Sequence, residues 1–372
     1  MSVAVTGATG FLGLHLVREL LRRDRTVVVL TRPGPVPAAE RIRRFLAATG
    51  VPEAETRRVT RRVRAVEADL GRPGLGLAPD AYRRLADDVD VLWHCAADTS
   101  LAAPLAALRR VNVEGTRHVL ALAAAGARAP LVCHVSTVAV AGARRHGTVL
   151  ESDLDASHGF HTPYEQSKFE AELLVRRWAR EHGGRALVAR PSGLVTRRPL
   201  PGGPPDILRT VADALGTARR ACPGLVAADG AFTLHGFDAE SRTNLLPVEH
   251  AAAVLAELPR AGPHAPAATY HLVHPYDVPI AQVTAALGRH LGVTVRLGRE
   301  SGAALGDTER AVRRWFAMYV CWLRVTRRYD AGNLDRLGLP VPPPARVDED
   351  YLVDSLSRPR VPGQEASRAP AR

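Results

Sequence analysis

The chain has 372 residues, 46% of them apolar and 24% charged, enough to bury a sizeable core and suited to one large domain with a satellite built from insertions. It carries a formal charge of +12, yet it has no run of 18 apolar residues and no basic residues interleaved with aromatics, so neither a membrane span nor nucleic-acid binding is expected. No basic or apolar leader precedes the first strand, which points to a cytoplasmic protein.

Residues 2–6 (SVAVT) read as a strand that runs through a glycine turn into the helix LHLVRELLRR. TVVVLT (26–31), RVRAVEAD (62–69) and DVLWH (90–94) are the next three strands. Leu101 to Ala125 reads as one long helix and 129–137 as a fifth strand, followed by a helix over Pro163 to His182 and a sixth strand at 185–190. This alternation predicts an α/β protein with a Rossmann-type, doubly wound parallel sheet. Beyond Arg190 the rhythm breaks. Residues 197–206 (RRPLPGGPPD) form a loop, and only short, weak elements are expected up to about residue 240. A strand and helix at 243–258, a returning strand at 269–275, and helices at 280–291 and 304–325 complete a smaller, mainly helical C-terminal region. The expected organisation is a dinucleotide-binding domain from 1–195 plus 243–275 and a substrate-binding region from 196–242 plus 276–356. The tail 357–372 is expected to be disordered. The stripe Trp315, Phe316, Met318, Trp322 and Leu323 is core packing, the lining of an apolar substrate pocket or a contact with a membrane surface.

Cys95, Cys133, Cys222 and Cys321 lie far apart without a CxxC or paired histidines, so neither a metal site nor a disulfide framework is indicated; they read as small buried apolar residues.

Gly7, Gly10 and Gly13 form GxxGxxG directly between the first strand and the first helix. That spacing gives a tight turn, a close backbone approach to a pyrophosphate and close helix-to-sheet packing, with the phosphates at the helix N-terminus. At the end of the second strand, where an acidic side chain would hold the ribose hydroxyl of NAD, the chain has Thr31-Arg32, followed by Arg41. A guanidinium makes two charge-assisted bonds to a 2′-phosphate, so NADPH (NADP) is the expected cofactor. Asp69 and Leu70, at the end of the third strand, sit where an adenine amino group could be read.

Among 50 basic residues Lys168 is the only lysine. It follows Tyr164 by four positions, one helical turn, so the two share a face. An ammonium beside a phenol brings its pKa from about 10 toward neutrality and makes a proton donor that works near pH 7. Ser136-Thr137, at the carboxyl end of the fifth strand, supplies a further hydroxyl.

TGATGFLG, NVEGT (112–116), STVAVAG, YEQSK and Arg190-Pro191 together resemble the extended short-chain dehydrogenase/reductase family. DVLWHCAADTS, NVEGTRHVL, HVSTVAV, YEQSKFEAE and TNLLPVEHAA narrow the resemblance to its thioester reductase and fatty acyl-CoA reductase (male-sterility) branch. It covers roughly residues 1–275. The resemblance implies Tyr164 as the acid, Lys168 as its electrostatic partner and ribose ligand, Thr137 as the second donor to the substrate oxygen, and Asn112 as a support of the active-site geometry. It places Gly7, Thr9, Gly10, Phe11, Leu12, Gly13, Arg32, Arg41, Asp69, Leu70, Ala96 and Ala97 around the cofactor, with Pro191 and Gly193 passing the nicotinamide. RPSGLVT departs from the pattern by lacking a second glycine after the Arg-Pro. The implied activity is NADPH-dependent reduction of an acyl thioester, held on CoA or an acyl or peptidyl carrier protein, to an aldehyde and potentially on to an alcohol. A reductase of free ketones or aldehydes, a nucleotide-sugar epimerase or dehydratase, and a non-catalytic NADP-binding scaffold are the alternatives.

Overall fold

A computed structural model describes residues 2–23, 25–183, 185–226, 229–235, 240–261, 267–298 and 307–357. The expected tail therefore lies, beyond Ser357, outside the described residues.

The central strands of this chain are short apolar runs buried on both faces, whereas the edge strand Val63–Glu67 is largely exposed. Val3, Val5, Val27 and Val29 point into one apolar layer, and Ala4, Val28 and Leu30 into the other, the period of two that a doubly covered sheet requires. Seven such strands form one sheet in the spatial order Val63–Glu67, Thr26–Thr31, Ser2–Thr6, Val91–His94, Leu131–Val135, Ala186–Pro191, Ala267–Leu272. Every neighbouring pair is parallel. The winding reverses between Ser2–Thr6 and Val91–His94, and the crevice outside the carboxyl ends of those strands is where such a sheet receives a ligand. The helices Phe11–Arg22 and Val248–Ala261 cover one face; Pro79–Asp88, Gly115–Ala125 and Pro163–Glu181 cover the other.

A separate apolar cluster, with Leu208, Val211, Leu215, Val283, Leu287, Phe316 and Leu352 among its buried members, holds the C-terminal elements together. Phe316 and Leu323 are buried in it while Trp315 and Trp322 pack against it, so the aromatic stripe is core packing.

Two expectations need correction. The segment expected to hold only weak elements contains a 15-residue helix, Ile207–Ala221. Its Asp206 cap accepts from the Arg209 backbone N–H at 2.8 Å, and Leu208, Val211, Ala212 and Leu215 give it a buried stripe. The preceding proline and glycine run masks both signals. The helix expected over 101–125 is not continuous either: a short α-helix, Leu105–Leu108, passes through a π-helical stretch, Arg109–Glu114, into the α-helix Gly115–Ala125. Within that stretch Asn112 turns its side chain to partners outside its own helix, and such stretches are frequent at functional sites. The helix expected over 304–325 runs Asp307–Val320 and tightens into a 3-10 turn, Cys321–Arg324; residues 304–306 of its expected span are outside the described residues.

Candidate active site

The glycine turn is built as its spacing requires. Gly7 has φ +67°, and a Cβ there would lie 2.6 Å from the Ala96 nitrogen; a Cβ on Gly13 would lie 2.0 Å from the Gly7 carbonyl oxygen. Neither site can take a side chain, and the first-helix N-terminus therefore sits hard against the strand ends. In front of it opens a cleft of about 1650 Å³ lined by Gly7, Thr9, Gly10, Phe11, Arg32, Arg41, Asp69, Leu70, Ala96 and Ala97. Arg41 reaches over the turn and donates to the Thr9 carbonyl at 3.1 Å. Asp69 accepts from the Gly71 N–H at 2.9 Å, and the Leu70 carbonyl accepts from His118 Nδ1 at 2.7 Å. Leu12 packs into the core, and Gly13 serves helix packing. Neither they nor Pro191 and Gly193 line the cleft. Ser192, between those last two, keeps a buried hydroxyl without a hydrogen-bond partner.

Several lining residues escaped the sequence reading: Arg44, His15, Arg110, Glu114 and Arg198. Arg44 was within reach, being one turn beyond Arg41. His15 sits edge-on between Phe11 and Phe45; burial, and then Arg18, lower its pKa to about 3, so it stays neutral.

The Pro163–Glu181 helix starts where its sequence demands. Thr162 caps it, Pro163 occupies its first position, and Glu165 closes a capping box. Tyr164 thereby sits in the first turn, half-buried, with Lys168 a turn later and only 3% exposed. Lys168 Nζ donates to the Val135 carbonyl at 2.8 Å. Thr137, two residues on, accepts from the Ala139 N–H at 3.2 Å, which leaves its own O–H free to donate. Asn112 ties the back of the site: Oδ1 accepts from the Asp98 N–H at 2.7 Å, and Nδ2 donates to the Asp98 carbonyl at 3.0 Å and to Ser167 Oγ at 2.9 Å. Ser167 in turn donates to the Tyr164 carbonyl at 2.8 Å. Lys168 thus ties the Tyr164 helix to the strand end that leads into Thr137, and Asn112 ties the same helix to Asp98; none of Tyr164, Lys168, Thr137 and Asn112 lines the cleft.

Ser136 faces away from Thr137's side of the site and donates to Glu172 at 2.7 Å. Glu172 also receives Arg190 Nε at 3.0 Å and Nη2 at 2.7 Å, and Arg176 Nε at 3.0 Å. Sequence reasoning assigned Glu172 nothing, although it follows Lys168 by one helical turn.

The electrostatics differ from expectation at the phenol. Burial, with Glu165 adding, raises the Tyr164 pKa, and the lysine is bonded to a carbonyl rather than to the phenol. Lys168 itself is lowered to about 8 by burial, against the opposing pull of Glu172. Burial lowers His94 to about 3 and His134 well below its usual range, and lifts the Cys95 thiol to about 12. All four cysteines are free; Cys133 and Cys321 are buried, whereas Cys95 and Cys222 are only partly so. His161, Glu165 and Cys321 bring a ring nitrogen, a carboxylate and a thiol within 4.8 Å of one another. Glu165, however, is spent on capping, accepting from the His161 and Thr162 N–H groups at 2.7 and 3.3 Å, and burial holds the Cys321 thiol up at about 12.

A family profile described as male sterility protein matches residues 5–255. The chain belongs to that family. It is an NAD(P)-dependent oxidoreductase of the extended short-chain dehydrogenase/reductase type, the class to which the family's glycine turn and Tyr-Lys pair belong. Among solved structures it resembles the terminal R domain from the myxalamid PKS-NRPS biosynthetic pathway, with 26% identity, a TM-score of 0.72, and 95% of this chain and 89% of that chain covered. Among curated proteins it is 37% identical over 180 residues to an isonitrile lipopeptide synthase of Streptomyces coeruleorubidus, covering 48% of this chain and 12% of that protein. It is 35% identical over 211 residues to the L-2-aminoadipate reductase large subunit of Penicillium chrysogenum, covering 52% and 15%. The chain thus matches a small part of these much longer proteins. No helix among the described residues is long and apolar enough to cross a membrane.

Proposed function

We propose that this member of the male sterility family reduces an acyl thioester, carried on CoA or on a carrier protein, to an aldehyde with NADPH. The observation that carries the reading is the bond from the buried Lys168 ammonium to the Val135 carbonyl, which ties the helix bearing Tyr164 to the strand end that leads into Thr137, together with the cleft in front of the glycine turn. The likeness to a terminal R domain supports the thioester as the carbonyl presented there. The glycine cradle, where a Cβ on Gly7 or Gly13 would clash, suits a dinucleotide. Arg32 and Arg41, with Arg44 beside them, favour a 2′-phosphate.

Gly7, Gly10, Arg32 and Arg41 would hold the NADPH, which would supply a hydride for the carbonyl carbon. Thr137 and Tyr164 donate to the oxygen on which negative charge grows, an electrostatic gain realised in the transition state. Tyr164 then gives up its proton. Burial keeps the phenol protonated beforehand, which suits a donor. Lys168, charged below about pH 8, stabilises the phenolate left behind. The resulting hemithioacetal breaks its C–S bond to release thiol and aldehyde; a second round would give an alcohol. No cysteine nucleophile enters, in keeping with thiols that burial keeps protonated. Segments 196–242 and 276–356 would bind the acyl group, a division supported by their own apolar cluster.

The test is incubation with NADPH and a panel of acyl-CoA and carrier-bound thioesters. Thiol release matching NADPH loss is expected. NADPH loss with free aldehydes or ketones alone, without thiol release from any thioester, would replace this reading by that of a simple carbonyl reductase.

A further inference from the structure

Two residues one turn apart on the Pro163–Glu181 helix grip consecutive residues of the strand end that precedes Thr137. Lys168 holds the Val135 carbonyl at 2.8 Å and Glu172 holds the Ser136 hydroxyl at 2.7 Å. Both side chains are buried, Glu172 completely. A carboxylate in such a place is costly unless its oxygens are satisfied. Here one oxygen takes Ser136 and Arg190 Nε, and the other takes Arg190 Nη2 and Arg176 Nε. Arg190, itself fully buried, is oriented further by the Asp153 carbonyl at 2.8 Å and by His271 Nε2 at 3.2 Å. His271 donates from Nδ1 to the Asp330 carbonyl at 2.6 Å, so its Nε2 is left to accept from Arg190. Every group around the carboxylate is therefore fixed in direction.

The same carboxylate lies one helical turn beyond Lys168, and its charge opposes the effect of burial on the ammonium. The titratable groups facing the ammonium are His94 and Cys95 from the fourth strand and its end, His134 from the fifth strand, and Glu172 from its own helix. Arg190 from the sixth strand, Arg176, and His271 from the seventh strand stand beyond, against Glu172. Burial keeps both histidines and the thiol neutral. Burial would likewise neutralise Glu172, but Arg190, then Arg176 and Ser136, outweigh it and hold the carboxyl below its ordinary value.

We propose that Glu172 is a positioning residue for the reaction: its carboxylate keeps the Lys168 ammonium charged and, through Ser136, anchors the strand end that presents Thr137. The inference rests on the reading of Tyr164, Lys168 and Thr137 as the reacting set. It gives Ser136 a place in that set without contact to substrate, and it accounts for a fully buried charge that folding alone would not require.

Because Lys168 is the only lysine, protein grown with [ε-13C]lysine gives one side-chain resonance, whose pH titration reads this ammonium directly. In the full chain the midpoint is expected near 8. In Glu172→Gln it should fall by about one pH unit or more, with hydride transfer at pH 7 falling about twofold or more and recovering as the pH is lowered. An unmoved midpoint in a folded Glu172→Gln protein overturns the electrostatic role. Ser136→Ala keeps the Glu172–Arg190 pair and guards against failure of the first variant to fold. It should leave the Lys168 midpoint in place, lower kcat about fivefold or more, and leave NADPH affinity unchanged; an unchanged kcat overturns the anchoring role. The titration needs no substrate, so a moved midpoint in a protein that reduces no thioester would reject the proposed function while leaving Glu172's hold on Lys168 intact.

Discussion

Asn112 Nδ2 donates to Ser167 Oγ across 2.9 Å, joining the π-helical stretch to the helix that carries Tyr164 and Lys168. Asn112 is 1% exposed and satisfied from both ends of its amide, so the bond is part of a closed buried network. Asn112→Asp keeps the shape but turns the donor into an acceptor facing the Asp98 carbonyl. Unpaired buried polar groups cost about 1–3 kcal/mol each, so a loss of about 2–4 kcal/mol in urea unfolding is expected. Unchanged stability would mean that the network is not formed.

Arg32 and Arg41 line the cleft beyond the second strand, and Arg41 already leans over Thr9. Replacing both by Ala should raise the Kd for NADPH by about a hundredfold or more, each charge-assisted contact being worth about 1.5–3 kcal/mol, while NADH binding barely moves. Calorimetric titration with both cofactors checks this. Equal losses for the two would remove the 2′-phosphate assignment.

The sheet was legible because its strands are β-branched runs at regular spacing, and the glycine turn because backbone sterics leave Gly7 and Gly13 no substitute. Tyr164, Lys168 and Thr137 were readable as a set from helical spacing and a strand end. The π-helical stretch was not, since the bonds that its Asn112 makes run to Asp98 and Ser167, outside its own helix, and leave no local signature. Nor was the direction of the Tyr164 shift: spacing brought Lys168 onto the right face, but only the fold shows its ammonium given to Val135 and the phenol desolvated. The helix Ile207–Ala221 was missed because a loop-like PGGPPD directly precedes its Asp206 cap.

Lys168 titrates at about 8 in the folded chain against an ordinary 10.5. Between those values the unfolded chain holds a proton that the native one has shed. The lysine's contribution to stability is therefore full above 10.5, rises with pH across that window, and is lost as pH falls through 8. The stability of the protein relative to Lys168→Met should climb from pH 8 to pH 10, at up to about 1.4 kcal/mol per pH unit. A flat difference in urea midpoints across that range would place the ammonium in a solvated site.

Lys168→Arg tests the need for a compact cation. The buried space beside Val135 accommodates one Nζ donor, and a planar guanidinium cannot hold that carbonyl and the ribose hydroxyls with the same geometry. Hydride transfer is expected to fall about a hundredfold or more, read as single-turnover NADPH oxidation. Reduction at the unmodified rate would reduce the solitary lysine to chance.

The most direct test of the account is Tyr164→Phe followed by stopped-flow single-turnover oxidation of NADPH with a thioester that the unmodified protein reduces. The substitution removes one phenolic oxygen from the first turn of a helix already fixed by Thr162 and Glu165. The account predicts a loss of about 10²–10⁴-fold in hydride transfer with NADPH affinity and Tm preserved; hydride transfer at an undiminished rate would contradict it.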